Sequence, residues 1–176
     1  MAIYNTGSDS ANTAVRAFLT KIGEYYWGES FNTGSKKGKK IWNDILIEFN
    51  HSCAYCGSTN KLQMEHLIMF NKTECGLHHP GNIVPVCSKC NQSRGRKNGN
   101  YVSWEKHLKN IVLENEYVIR KEKIEKHICK YKYPILTKKD MNAIKVIANN
   151  LYDNIKNELD KSLKLYKEIT EAFIKY

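Results

Sequence analysis

No run in these 176 residues approaches the ~18 consecutive apolar positions of a membrane-spanning helix. The first seven residues lack the basic start and apolar stretch of a signal peptide. A cytoplasmic protein with no membrane partner is therefore expected. Proline and glycine are scarce, at 3 and 10 residues, and a hydrophobic share of 41% excludes a disordered or fibrous chain. There is no internal repeat and no low-complexity segment. Acid is the most informative shortage. From Cys75 to Trp104 there is no Asp or Glu, while Lys89, Arg94, Arg96 and Lys97 fall within nine positions. Over the whole chain 28 basic residues face 18 acidic ones, a net charge of +10. The excess divides equally between residues 1–100 and 101–176, so it is not a detachable tail. A folded basic chain attracts polyanions, nucleic acid first among them. A Lys-rich composition without a binding role is the plain alternative.

Six cysteines stand at 53, 56, 75, 87, 90 and 129. Four make two CxxC pairs, Cys53–Cys56 and Cys87–Cys90, with 30 residues between them. In a reducing compartment such pairs point to one tetrahedral thiolate site rather than to disulfides. Four thiolates close the coordination sphere of Zn²⁺, so the site is expected to be structural. An iron–sulfur cluster and a redox pair are the alternatives. Cys75 and Cys129 read as a loop thiol and a core residue on an apolar helix face.

Helical periodicity frames this site. Ala14, Val15, Phe18, Leu19, Ile22 and Tyr25 form one amphipathic stripe ending near Gly28, and Ile41, Trp42, Ile45, Leu46 and Phe49 form a second. The intervening Gly34–Lys40 stretch is superficially like a phosphate-binding P-loop. It has three residues between its glycines and no Ser or Thr after the lysine, so a solvated basic loop is expected. Downstream, Trp104, Leu108 and Ile111 mark a short helix, and Val118, Ile119, Ile124 and Ile128 another. After Pro134, Thr137 with Asp140 predicts a cap for a long helix whose stripe runs from Met141 to Phe173. That helix is expected to pack on the core; a dimer arm is the other option. The divisions expected are a helical segment 1–50, a core 51–100 and a helical region 101–176.

Between the knuckles, Leu62–Ile68 reads as a strand with a Glu-His pair near its end. A polar loop follows, and Gly81–Val86 is a second short strand leading into Cys87. Cys90-Asn91-Gln92-Ser93-Arg94 then opens a helix or turn. In order, Cys-x-x-Cys-Gly, Glu-His, Gly-Asn-Ile-Val-Pro-Val-Cys-x-x-Cys-Asn-x-x-Arg-Gly resembles the four-cysteine branch of the HNH endonucleases, from Cys53 to about Lys97. The resemblance implies an α+β fold: a ββα-metal catalytic core stapled by the four-cysteine zinc site and flanked by N- and C-terminal helices. It also implies roles. His66 would be the general base that activates water, and Glu65 a ligand of the catalytic divalent metal. Asn82 would hold the loop that orients His66, and Asn91 would be the second metal ligand. Two departures stand out: Glu65 occupies a position more often held by Asp, and Asn91 replaces the third histidine, as in HNN-like members.

The residue chemistry agrees with these roles. Carboxylate and amide oxygens suit Mg²⁺ or Mn²⁺, and a neutral imidazole can take a proton from water near neutral pH. Arg94 would contact a phosphate. Lys89, Arg96 and Lys97 would line the nucleic-acid path, or serve as ordinary surface charge. Asn82 and Asn91 could instead cap turns, and His78 and His79 either join the metal or lie in a mobile loop. The function expected is metal-dependent hydrolysis of DNA, double-stranded, by a homodimer in a restriction or defence setting. A non-catalytic zinc module that binds nucleic acid is the alternative, as is a nuclease for RNA or branched DNA.

Overall fold

Short polar side chains start several of the helices by taking up amides that have no partner within the helix. At α1 (Gly7–Trp27), Thr6 and Asp9 exchange hydrogen bonds, and Thr137 and Asp140 do the same ahead of α6 (Lys138–Ile174). Ser35 accepts from Gly38 N at 3.0 Å and opens α2 (Lys36–Glu48). The computed structural model describes residues 6–97 and 100–174, without the side chains of 96, 97, 100 and 174. Between α2 and α6 lie β1 (Leu62–His66), a 3-10 turn (Pro80–Asn82), β2 (Ile83–Cys87), α3 (Ser88–Ser93), β3 (Arg96–Lys97), β4 (Asn100–Tyr101), α4 (Trp104–Ile111) and α5 (Glu114–Lys130).

The basic stretch before Ile41 is thus helix rather than loop. The Ser35 cap moves the start of α2 forward to Lys36, and Gly38 sits so close to the Asn32 carbonyl that any Cβ there would overlap it. The ends of α1 and α6 fall near the expected residues; Gly28 closes α1 in the left-handed conformation at φ +82°. The small β3–β4 pair, joining Arg96 to Tyr101 and Lys97 to Asn100, has no counterpart in the sequence reading.

The chain divides into two compact units. The described parts of the first lie within Met1–Phe18, Asn71–Cys75 and Leu136–Tyr176. Ala11, Val15, Ile144 and Ala148 are buried there. Only the first half of α6 behaves as the core-packing helix expected: Leu163, Leu165 and Tyr166 are exposed, and Phe173 is 78% exposed.

The second unit, Leu19–Phe70 with Gly76–Ile135, holds the strands and the cysteine pairs. β1 and β2 are antiparallel, running from Leu62 opposite Cys87 to His66 opposite Ile83. A two-stranded ribbon is marginal alone, and here it is covered. Every residue of β2 is buried, and Val84 and Val86 share a cluster with Ile45, Phe49, Tyr55, Leu67, Trp104, Leu108 and Ile124. His127 ties α5 into this cluster: its Nδ1 meets Glu48 Oε1 at 3.0 Å and its Nε2 donates to the Pro80 carbonyl at 3.1 Å. The architecture is α+β, a two-strand hairpin with a following helix beside a four-cysteine cluster, flanked by N- and C-terminal helices, as expected.

Candidate active site

The two knuckles meet because of the hairpin register. Cys87 ends β2 and Cys90 lies one turn into α3, while Ala54 N donates to the Pro85 carbonyl at 2.8 Å and docks the first knuckle on β2. The Sγ atoms of Cys53, Cys56, Cys87 and Cys90 all lie within 4.8 Å of one another, with Cys56 and Cys87 at 3.6 Å. Zn–S bonds of about 2.3 Å put tetrahedral sulfurs about 3.8 Å apart. The donor set and spacing therefore fit one structural zinc. Burial pushes the Cys53 and Cys90 thiols up, which disfavours four thiolates there without a cation among them.

α3 and Arg94, the residue that caps its C-terminus, pack along β1 in two polar rungs. Asn91 Nδ2 donates to Gln63 Oε1 at 2.8 Å, and Arg94 Nη1 donates to Glu65 Oε1 at 2.8 Å. Gln63 and Glu65 alternate onto the same strand face, so the two candidate metal ligands, Glu65 and Asn91, stand on adjacent rungs. Glu65 is 6% exposed; burial pushes its carboxyl above the usual carboxylate range, and Arg94 pulls it back.

Arg94 does not face a phosphate, contrary to the sequence expectation. It is 3% exposed, and its guanidinium also donates to Tyr55 Oη at 3.3 Å, to the His66 carbonyl at 2.7 Å, to the Leu67 carbonyl, and through Nε to Val102 O at 3.2 Å. The planar fork is consumed in holding the end of β1. Lys89 does face outward. It lines, with Lys61, Ser58, Asn60, Ser88, Cys56 and Cys87, a cleft of about 490 Å³ beside the sulfur cluster. The Arg96 and Lys97 side chains lie outside the described residues.

Asn82 is buried and satisfies both ends of the segment after β1. Its Oδ1 accepts from Ile68 N at 2.8 Å, and its Nδ2 donates to the carbonyls of Ile68 at 3.0 Å and Leu77 at 2.9 Å. This is a brace rather than a turn cap. Asn82→Ala removes three hydrogen bonds from buried or half-buried backbone and is expected to cost about 3 kcal/mol, read as a lower urea midpoint with an unchanged slope.

His66, half-buried at the end of β1, stacks on Phe70 with centroids 4.7 Å apart. Its Nε2 lies 3.1 Å from Nδ1 of His78. Neither His78 nor His79 occupies an unpacked loop. His78 stacks on Phe31 at 4.9 Å and its Nε2 donates to the Phe31 carbonyl at 3.0 Å. His79 is fully buried, its ring edge-on to Trp27 and Tyr133. Its Nδ1 accepts from Gly81 N, Nε2 has no hydrogen-bond partner among the described residues, and burial pushes its pKa down to about 4. It is a neutral core residue. His78 as a neighbour of His66 was missed because nothing in a linear spacing of twelve joins a strand end to a loop.

Residues 53–97, about a quarter of the chain, match the family model described as HNH endonuclease. No curated protein and no solved structure shows significant similarity to the chain. Family order and four-cysteine geometry coincide on the same residues, and the segment Cys53–Lys97 is accordingly an HNH endonuclease domain, of a family of phosphodiester hydrolases that act on nucleic acid.

Proposed function

We propose that the protein is a metal-dependent endonuclease that hydrolyses DNA, with His66 as the general base. The observation that supports this most directly is the end of β1. There an imidazole held by a ring stack and a ring-nitrogen contact follows a carboxylate that faces an amide-bearing helix. A purely structural zinc module has no use for a carboxylate beside a histidine next to the acid-free stretch from Cys75 to Trp104.

Glu65 and Asn91 would hold the divalent ion. Their donor chemistry fits a hard cation such as Mg²⁺ or Mn²⁺. Arg94 takes Oε1 of Glu65 and Gln63 takes Nδ2 of Asn91, which leaves Oε2 and Oδ1 for that task. When bound, such an ion neutralises charge at the scissile phosphate and stabilises the leaving oxygen. His66 removes a proton from the attacking water, and Asn82 keeps the segment from Ile68 to Leu77 in the shape that carries the ring. Lys89 and Lys61 receive the phosphate backbone along the cleft beside the knuckles. Residues 51–100 act as the catalytic division, and the helical segments 1–50 and 101–176 supply its support and its contacts to duplex DNA. Two strands would be cut by a homodimer, and a restriction or defence role completes the reading.

The test is incubation of supercoiled plasmid with the full chain and Mg²⁺ or Mn²⁺, beside His66→Ala. A loss of roughly a hundredfold or more in cleavage rate is expected for the variant, at unchanged DNA affinity. Equal cutting by both proteins would remove His66 from the chemistry. Binding without cutting by either would favour the non-catalytic module.

A further inference from the structure

We propose that His78 is a positioning residue that fixes His66 in the Nε2–H tautomer, so that Nδ1 is the basic nitrogen of the His66 ring. A carbonyl oxygen can only accept. The 3.0 Å contact between His78 Nε2 and the Phe31 carbonyl therefore places a proton on that nitrogen. A neutral ring protonated at Nε2 offers a lone pair at Nδ1. The group 3.1 Å from that lone pair is Nε2 of His66, which must then be the donor. One backbone carbonyl thus sets the protonation pattern of two rings in series.

The neutral state of His78 follows from its surroundings. Burial pushes it below the ordinary histidine range, against the opposing pull of the Phe31 hydrogen bond and of Glu24. The geometry is held from several sides. His66 lies flat on Phe70 at an interplanar angle of 10°, and His78 lies on Phe31 at 19°. Phe31 is itself buried, and Gly23 of α1 lies so close to the His78 carbonyl that any Cβ there would overlap it. The segment joining α1 to α2, which lies outside Cys53–Lys97, is by this reading part of the catalytic apparatus.

The inference rests on His66 as the base, and its own test does not depend on cleavage. Nitrogen-15 NMR of the full chain, labelled at histidine and recorded at mildly alkaline pH, reads each ring nitrogen directly. A protonated His66 Nε2, an unprotonated Nδ1, and a scalar coupling from His66 Nε2 to His78 Nδ1 across the hydrogen bond are expected. His78→Leu removes the coupling and lowers kcat by about tenfold to a hundredfold, as for outer partners of functional histidines, with KM little changed. His78→Asn, whose amide oxygen can accept the same proton, keeps His66 Nε2 protonated and restores most of kcat. An unprotonated His66 Nε2 in the wild type overturns the proposal, and this holds even where the Leu variant does not fold. Unchanged His66 shifts in a folded His78→Leu overturn it too. A wild type with the expected tautomers that cuts no nucleic acid supports the relay and overturns the endonuclease reading alone.

Discussion

Cys87→Ala is expected to abolish folding of the hairpin core, not merely to weaken it. The elements that carry the site are small: two strands of five residues and a helix of six. A helix that short has no stability of its own in water, and a lone ribbon has little. Structural zinc in comparable peptide sites contributes roughly 10–16 kcal/mol of apparent binding energy, as much as the whole stability of an ordinary domain, about 5–15 kcal/mol. Removing one thiolate leaves burial still opposing charge on Cys53 and Cys90. Metal analysis should find one zinc per wild-type chain and none in the variant, with the cooperative melt of the core lost. Cys129, exposed on α5 rather than in the core as its place in the sequence suggests, is the control: Cys129→Ser should change neither zinc content nor melting. A Cys87→Ala protein that melts like the wild type would show that the cluster does not hold the fold.

The second large effect is expected at Arg94. Its guanidinium serves Glu65, Tyr55 and three backbone carbonyls from a site almost closed to water. Arg94→Met fills much of the space and satisfies none of these groups. Breaking one side of a buried ion pair costs about 3–5 kcal/mol, chiefly because the remaining charge is stranded. The pH dependence follows from Glu65. Its folded pKa is already raised by burial, and without Arg94 it rises further. A group whose folded pKa exceeds its unfolded value of about 4.3 imposes no penalty below that value and the full penalty above the folded one. The stability gap between wild type and variant should therefore be widest near neutrality and shrink as the pH falls toward 4. Denaturant titrations at several pH values check this, and a gap independent of pH would mean that Glu65 is not the stranded charge. Arg94→Met combined with Glu65→Gln should recover part of the loss at neutral pH.

What could be read from the sequence was whatever depends on local spacing. CxxC pairs, the Glu-His dipeptide, the strand leading into Cys87 and the Thr137–Asp140 cap each declare themselves within a few residues, and the hairpin follows from them. Arg94 was misread because its character is set by what lies across the fold: a surface arginine and one buried on three carbonyls look alike in a string. The same holds for Ser35, whose capping turns an apparent loop into helix, and for His79, whose neutrality comes from burial in a place where Trp27 and Tyr133, far off in the chain, are its ring neighbours. The exposed stripe on the far half of α6 shows the converse, a periodic pattern that this chain does not bury by itself.

Leu62 faces Cys87 at one end of the ribbon, and His66 faces Ile83 at the other. Uptake of the ion and alignment of the strands are therefore a single event, since sulfurs from both sides cannot converge unless the register is correct. Slippage by one residue would send Glu65 to the opposite face and pull the second thiol pair out of reach. The affinity of the apoprotein for zinc thus becomes a gauge of strand pairing. Substitutions far from the sulfurs that loosen the ribbon should appear first as easier loss of the ion to a competing chelator.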